Sequence, residues 1–150
     1  MQLTLYTDYS LRVLLYLGLN TRRVATITDI AESYGISRNH LVKVVHNLAV
    51  QGFIQSVRGR GGGLALARSP DKINMGHVVR HTEVTFDLVE CFDLASNTCP
   101  IAAACFLKGA LYEAQQAFMG VLDRYTLEDV LVNSDWLRSV LKVPTPDEED

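Results

Sequence analysis

Three cysteines in the second half of the chain are the residues whose type and spacing best support chemistry. Cys91, Cys99 and Cys105 lie within fifteen residues of a 150-residue sequence. Pro100 restricts Cys99 to an extended backbone, and a long helix predicted to begin at Ile101 places Cys105 about one turn inside it. Backbone NH groups and the positive end of that helix favour thiolates. Three clustered thiolates indicate a soft-metal site, for which an iron–sulfur cluster, either 2Fe-2S or 4Fe-4S, is one natural occupant.

The residues leave three other interpretations of these cysteines open. Structural zinc usually takes four ligands at shorter spacings such as Cys-x2-Cys. A thiol–disulfide switch would leave one cysteine over. Burial as small hydrophobic side chains is the third interpretation. The polar neighbours Glu90, Asp93 and Asn97 argue against burial of Cys91 and Cys99. They argue less strongly against burial of Cys105.

Iron–sulfur clusters usually take four protein ligands, so one further donor is needed. Glu90 and Asp93 are the local candidates. Asp8 is a distant candidate, which would reach the site only from the first helix of a partner subunit. An ion pair with Arg12, four residues further along the helix, is the simpler role for Asp8.

The net charge of −3 conceals two halves of opposite sign. Residues 1–80 carry ten Lys and Arg against four Asp and Glu, whereas residues 81–150 carry four against thirteen. A basic half joined to an acidic half indicates that the first half meets a polyanion such as nucleic acid. A chance distribution over one globule is the alternative that charge alone leaves open.

The basic half contains the pattern of a helix-turn-helix. Thr26 and Asp29 form a capping-box pattern that opens one short helix, and Ser37 is suited to cap the next. Two short helices joined by a glycine-containing turn predict a helix-turn-helix over about 26–51. The inward stripe of its second helix is Leu41, Val44, Val45 and Leu48.

A β-hairpin is predicted directly after these helices. Apolar runs over 53–57 and 64–67 flank a glycine-rich tip that carries Arg58 and Arg60. The tip is not a nucleotide-binding loop, because no Gly-Lys-Ser/Thr closes it and a strand follows rather than a helix. A wing over about 53–67 makes the fold a winged helix, mainly α with a small β-wing.

The start of the second helix carries the side chains predicted to contact DNA. A recognition helix of this kind enters the major groove by its N-terminus. Arg38 suits guanine and Asn39 suits adenine, whereas Lys43 and the wing arginines suit phosphate or the minor groove. A solvated polar face is the alternative. The predicted contact residues are Ser37, Arg38, Asn39, His40, Lys43, Arg58 and Arg60.

The predicted organisation has four segments. Residues 1–82 form the DNA-binding domain, which begins with a helix over 5–19 and ends with a short helix capped by Asn74. Residues 83–105 form a cysteine-bearing loop. Residues 101–141 contain a long helix and C-terminal helices, and 142–150 form an acidic tail predicted to be disordered.

The long helix is predicted to pair with another helix. It extends from Ile101 to about Leu122, and its apolar residues alternate by four and three, which is typical of a helix-pairing seam. A capping-box pattern at Thr126 predicts another short helix. The seam residues are Leu107, Leu111, Ala114, Phe118 and Val121, and the predicted anchors of the last turn are Trp136, Leu137, Val140 and Leu141.

Several protein classes are not supported by the sequence. No apolar run approaches the roughly 18 residues of a membrane span, and the N-terminus lacks the features of a signal peptide. We therefore expect a cytoplasmic protein without membrane contact. No catalytic hydrolase motif occurs and no histidine pairs evidently with a cysteine, so we expect no enzyme activity.

Taken together, these residues resemble the IscR/NsrR family of winged-helix iron–sulfur regulators, and within it the nitric-oxide-responsive branch. The resemblance extends from Met1 to about Leu131. It rests on residues 1–4 and 7–9 (MQLT and TDY), 34–40 (YGISRNH), 57–59, 62–63, the three cysteines, and 125–127 (YTL).

The resemblance implies a homodimeric repressor of palindromic operator DNA. It implies that the three cysteines hold the cluster, with Asp8 donated by the partner subunit as fourth ligand, and that nitric oxide attacks the cluster and releases the DNA. Some relatives have a histidine three residues after the last cysteine, but here that position is Lys108. Two alternative functions remain. The protein would be a regulator of the same fold that senses cluster supply, iron or redox state, or a winged-helix DNA-binding protein without a cluster.

Overall fold

The chain folds into helices with one small sheet, seen in a computed structural model that describes residues 2–21 and 23–144. In that part, none of the helices is both long and apolar enough to cross a membrane. The α-helices are α1 (Leu5–Leu19), α2 (Ile27–Tyr34), α3 (Arg38–Val50), α4 (Met75–Thr82), α5 (Phe106–Leu122) and α6 (Ser134–Leu141). The strands are β1 (Ile54–Val57) and β2 (Gly63–Leu66), and 3-10 turns lie at Pro70–Lys72, Glu90–Phe92 and Asp129–Leu131.

Side-chain caps define where several helices begin. The predicted capping box of α2 is confirmed, because Asp29 N donates to Thr26 Oγ1 at 3.1 Å and Thr26 N donates to Asp29 Oδ2 at 2.7 Å. Asn74 caps α4 through its side chain, as predicted. Ser37 occupies the cap position of α3, but its side chain makes no capping hydrogen bond. The prediction that Ser37 caps α3 is therefore right about the position, but the side-chain hydrogen bond that a cap normally makes is absent.

The helix-turn-helix is built on the first helix. The predicted inward stripe of α3 is buried, and it packs with α1 residues into one core. Gly35 ends α2 with a φ of +64°, a conformation that glycine adopts without strain. The buried stripe leaves the opposite side of α3 in solvent. The core residues of α1 and α3 include Val13, Leu14, Leu17, Leu41, Val44, Val45 and Leu48.

The wing is an antiparallel hairpin that is anchored to the turn before α2. Its register pairs Ile54 with Leu66 and Val57 with Gly63. Leu64 also exchanges two backbone hydrogen bonds with Ala25, at 2.7 and 3.0 Å. A Cβ on Gly62 would lie 2.3 Å from the carbonyl oxygen of Val57, so the tip closes only with glycine there.

The long helix begins later than its apolar pattern predicts. It starts at Phe106 rather than Ile101, and Cys105 is the residue before its first turn rather than one turn inside it. Ala102 N and Ala104 N donate to carbonyls three residues back, which are turn hydrogen bonds. Ile101 is exposed, so extending the helix to this residue would bury no apolar surface that could stabilise the extra turn.

The C-terminal third returns to α1. Arg80 on α4 binds the Asp123 carboxylate through its two terminal guanidinium nitrogens, Nη1 and Nη2, at 2.5 and 2.7 Å. Thr126 and Asp129 form the predicted capping contacts, but the turn that follows is 3-10 rather than α-helical. Leu127 is fully buried beside Gly18, where a Cβ would lie 3.3 Å from a leucine methyl carbon.

The last helix is anchored by fewer residues than predicted. Leu141 is buried and Leu137 packs against the core. Trp136 is 66% exposed and Val140 is also exposed, because they lie about 100° around the helix from Leu137 and Leu141 and miss the core. Val143, assigned above to the acidic tail, is buried. Residues 145–150, the rest of that tail, lie outside the described residues, as do Met1 and Arg22.

Replacing Leu127 with Ala tests whether the C-terminal third stabilises the DNA-binding half. We expect Leu127→Ala to lower the free energy of unfolding by about 2–5 kcal/mol, because it empties a fully buried site. Val130→Ala on the same turn is the control and should change it by about 0.5 kcal/mol or less. Urea unfolding followed by circular dichroism measures both. Equal losses for the two variants would contradict the packing described here.

Candidate functional site

The start of α3 is presented to solvent. Because the apolar stripe of α3 faces inward, the residues at its N-terminal end face outward. Among the described residues, none of the carboxylates forms an ion pair with Arg38 or Lys43. Cationic side chains in this position are available to a polyanion. The exposed residues are those predicted to contact DNA: Ser37, Arg38, Asn39, His40 and Lys43.

Two of these residues also contact α1. The imidazole of His40 stacks on the ring of Tyr9, with 6.2 Å between ring centroids and 24° between planes. The hydroxyl of Tyr6 donates to the backbone carbonyl of Lys43 at 3.4 Å. The position of the recognition helix is therefore tied to aromatic side chains of α1. The sequence did not reveal these contacts, because they join different helices.

The wing presents its arginines differently from the arginine that follows it. Arg58 and Arg60 are exposed at the tip. Arg68, in contrast, donates to the carbonyl of Gly52 at 3.0 Å and lies 5.4 Å from the centroid of the Phe53 ring. Arg68 therefore stabilises the base of the wing, whereas the tip arginines remain free to reach a phosphate backbone.

Asp8 forms the ion pair with Arg12 that its spacing predicts. Arg12 Nε donates to Asp8 Oδ1 at 3.1 Å, and Arg12 Nη2 lies 2.8 Å from Asp8 Oδ2. The guanidinium also lies over two rings, 5.9 Å from the centroid of Tyr9 and 5.7 Å from that of Tyr34. Burial raises the pKa of Tyr34 to about 12, so the ring that faces Arg12 is neutral.

The three cysteines lie on one irregular segment. Cys91 is in the 3-10 turn, Cys99 in the following loop, and Cys105 directly before α5. All three are half-buried free thiols. Within residues 2–21 and 23–144, the structure does not bring three or more His, Cys, Asp or Glu side chains together as ligands of a metal ion.

The local acidic residues of this segment are engaged with its own backbone. Glu90 accepts hydrogen bonds from Thr98, and these lower the pKa of the Glu90 carboxyl. Asp93 accepts from the hydroxyl of Ser96 at 2.6 Å and from Ala95 N at 2.9 Å, and these bonds lower its pKa. Both carboxylates, considered above as ligands, therefore already have donors.

The cysteine-bearing segment touches the rest of the protein at few points. Phe92 contacts the ring of Tyr112 on α5, with 6.2 Å between centroids, and the side-chain amide of Gln115 donates to the carbonyl of Phe86. At the start of the segment, Glu83 accepts from Thr4 N at 2.7 Å. A cavity of about 390 Å³ lies between this segment, α5 and the N-terminus. The segment therefore joins α5 to the beginning of α1.

The donor set fits an iron–sulfur cluster in its chemistry. Three unpaired thiols provide the soft ligands that such clusters take. The surrounding loop is irregular and half-exposed, so it can adjust to an inorganic group without disrupting a packed core.

The seam of α5 is largely exposed in the single chain. Of its five residues, Leu107, Ala114 and Val121 are exposed, whereas Leu111 and Phe118 are half-buried. Next to the seam, Phe106 is 96% exposed and Tyr112 is also exposed. Contiguous exposed apolar surface of this kind marks an interaction site.

Known proteins with similar sequences are transcriptional regulators. Residues 3–133 match the Rrf2 family model, which is described as an iron-dependent transcriptional regulator. The chain is 48% identical to the HTH-type transcriptional regulator NsrR of Shouchella clausii, covering 99% of this chain and 100% of that protein. It is 50% identical to NsrR of Geobacillus kaustophilus, covering 95% and 97%.

Solved structures share the fold. IscR of T. potens superposes with a TM-score of 0.73 at 24% identity, covering 92% of this chain and 91% of that one. CymR of B. subtilis, titled a global cysteine regulator, has a TM-score of 0.71 at 25% identity, covering 87% and 95%. The predicted mainly α fold with a β-wing is confirmed, and the relatives are regulators rather than enzymes. With its exposed recognition helix and wing, the chain belongs to the Rrf2 family of winged-helix transcriptional regulators.

Proposed function

We propose that this protein is a nitric-oxide-responsive repressor. It binds palindromic operator DNA as a homodimer while it holds an iron–sulfur cluster, and it releases the operator when nitric oxide reacts with that cluster. The observation that carries the proposal is the position of three free thiols on a segment that contacts both α5 and the start of α1. The similarity to proteins named NsrR supports the same signal.

The DNA-binding half supports major-groove recognition. The N-terminal end of α3 would meet base edges through Arg38 and Asn39, while Lys43 and the wing arginines would contact phosphates. In a two-fold dimer the two recognition helices would lie about 34 Å apart, one turn of DNA, which matches a palindrome.

The exposed seam of α5 supports the homodimer. A second copy of α5 would cover apolar side chains that one chain leaves in water, and each buried square ångström of such surface contributes about 25 cal/mol.

The cysteine segment supports the cofactor. Cys91, Cys99 and Cys105 would hold the cluster, with Asp8 of the partner subunit as the fourth ligand. When bound, the cluster would supply iron that reacts with nitric oxide.

Contacts of Asp8 support a connection to the recognition helix. Arg12 contacts both oxygens of Asp8, so iron bound to this carboxylate would compete with the guanidinium for it and weaken the ion pair. Arg12 lies over Tyr9, and Tyr9 stacks on His40. A change at Asp8 would therefore reach the start of α3 through three contiguous contacts, without unfolding either helix.

Replacing Cys99 tests the role of the thiols. An operator is first selected from random duplex DNA with anaerobically purified native protein, whose colour and absorption spectrum report the cluster. We expect Cys99→Ala to lose iron and to bind this operator at least about tenfold more weakly, which corresponds to about 1.4 kcal/mol. Ser139→Ala, on the exposed side of α6, is the control. Unchanged anaerobic affinity would contradict the proposal, and an iron-free native preparation would favour a cluster-free DNA-binding protein.

Arg38 and Arg58 are expected to contribute to DNA binding in different ways. Arg38→Ala should cost about 1–3 kcal/mol on the selected operator and relax the preference for one base. Arg58→Ala should weaken all duplexes about equally and reduce the slope of log affinity against log salt by about one. Fluorescence anisotropy over a salt series measures both, with Arg124→Ala as the control. If the two variants lose sequence preference equally, the assignment of their roles is wrong.

Arg12 is expected to couple the two halves. Arg12→Ala leaves Asp8 available as a ligand, so iron and sulfide content should stay native. The ratio of operator affinities between loaded and iron-stripped protein should fall about fivefold or more, since typical coupling between sites spans that range. Lys72→Ala breaks a comparable surface ion pair with Asp71, 2.9 Å long, and should leave the ratio unchanged. A native ratio in the Arg12 variant would exclude this route.

A further inference from the structure

Glu90 and Thr98 are joined by a pair of hydrogen bonds across the cysteine loop. Glu90 Oε1 accepts from Thr98 N at 2.5 Å and from Thr98 Oγ1 at 2.6 Å. Each of these two residues directly precedes a cysteine, Cys91 or Cys99. Eight residues of fully extended chain would span about 26–29 Å. The hydrogen bonds instead require residues 90 and 98 to lie side by side.

We infer that Glu90 is a positioning residue, which clamps the loop shut on Thr98 and thereby sets Cys91 beside Cys99 before any metal binds. The inference deepens the proposed function and rests on it, because it assigns these two thiols to one site. It also makes Oε1 of Glu90, which accepts both hydrogen bonds, unavailable as the fourth ligand.

The loop between the two cysteines has internal contacts that cooperate with the clamp. Asp93 holds the turn at Ala95 and Ser96 through its two carboxylate oxygens. Asn97 Oδ1 accepts from Cys99 N at 3.0 Å, which orients the backbone at the second cysteine. Closing a loop costs conformational entropy. A loop already closed by hydrogen bonds has lost that entropy before the ligands are used, so it holds a metal group more tightly.

The clamp and a ligand role through Oε1 of Glu90 exclude each other. Iron bound through this oxygen would displace both donors of Thr98, and the loop that keeps Cys91 near Cys99 would open. The two roles therefore predict opposite effects of two substitutions. Glu90→Gln keeps an oxygen that accepts from Thr98 but is a poor iron ligand. Thr98→Val keeps the carboxylate but removes the hydroxyl that holds it.

The clamp is tested first in metal-free protein. In a Cys105→Ser background, Cys91 and Cys99 are the only thiols, and dibromobimane becomes fluorescent when it links the two. We expect the rate of linking to be native with Glu90→Gln, about twofold to tenfold lower with Thr98→Val, which removes one hydrogen bond, and lower still with Glu90→Ala. Asp87→Ala breaks a similar pair with Thr85, 2.5 Å long, outside the loop and should be native. Equal linking in Glu90→Ala and the background protein would overturn the inference.

The same substitutions are then tested with all three cysteines present. After anaerobic reconstitution, iron loss to a chelator should be fastest for Glu90→Ala, intermediate for Thr98→Val, and native for Glu90→Gln with an unchanged absorption spectrum. A changed spectrum and rapid iron loss in Glu90→Gln, with native behaviour of Thr98→Val, would identify Glu90 as a ligand and overturn the clamp. If even the native protein takes up no iron, the proposed function fails, whereas the linking series still decides whether the clamp exists.

Discussion

Helix α1 is the element on which both halves of the protein depend. It packs against α3, α4, α6 and β2, and its inner face supplies the centre of the core. Its outer face carries the Asp8–Arg12 ion pair and the Tyr9 ring that stacks on the recognition helix. Because packed interiors shift between discrete arrangements rather than deform continuously, a displacement of α1 cannot leave α3 in place.

The cysteine segment, in contrast, has little packing of its own. It is held by local hydrogen bonds, by an aromatic contact and a hydrogen bond to α5, and by the Glu83 carboxylate, which accepts from Thr4 at the start of α1. Segments with few buried contacts open at low free-energy cost. A cofactor bound there would therefore stabilise an arrangement that the chain alone holds weakly. A bias of about 1.4 kcal/mol is enough to change an equilibrium constant tenfold.

The parts of the fold that depend on local chemistry were predictable from the sequence. The capping box at Thr26 and the glycine-rich wing follow from the backbone preferences of their residues. The buried stripe of α3 follows from apolar residues spaced three and four apart. The start of α5 was not predictable. Residues 101–104 are rich in alanine and have a high helical propensity, but no tertiary packing stabilises a helix there. The exposure of Trp136 and the stack of Tyr9 on His40 depend on how distant elements meet. The hydrogen bonds between Glu90 and Thr98 were not predictable for the same reason: the partner of Glu90 lies eight residues away, whereas its residue type alone suggested a ligand.

If the state of the cysteine segment decides whether a dimer holds operator DNA, as proposed above, a titration with nitric oxide tests this coupling most directly. Anaerobic protein bound to a fluorescent operator receives nitric oxide in steps, while a second sample of the same preparation is stripped of iron by a chelator. The account predicts that anisotropy falls in proportion to the nitric oxide added per cluster and reaches the low value of the stripped sample. An operator complex that persists after the iron has fully reacted would contradict it.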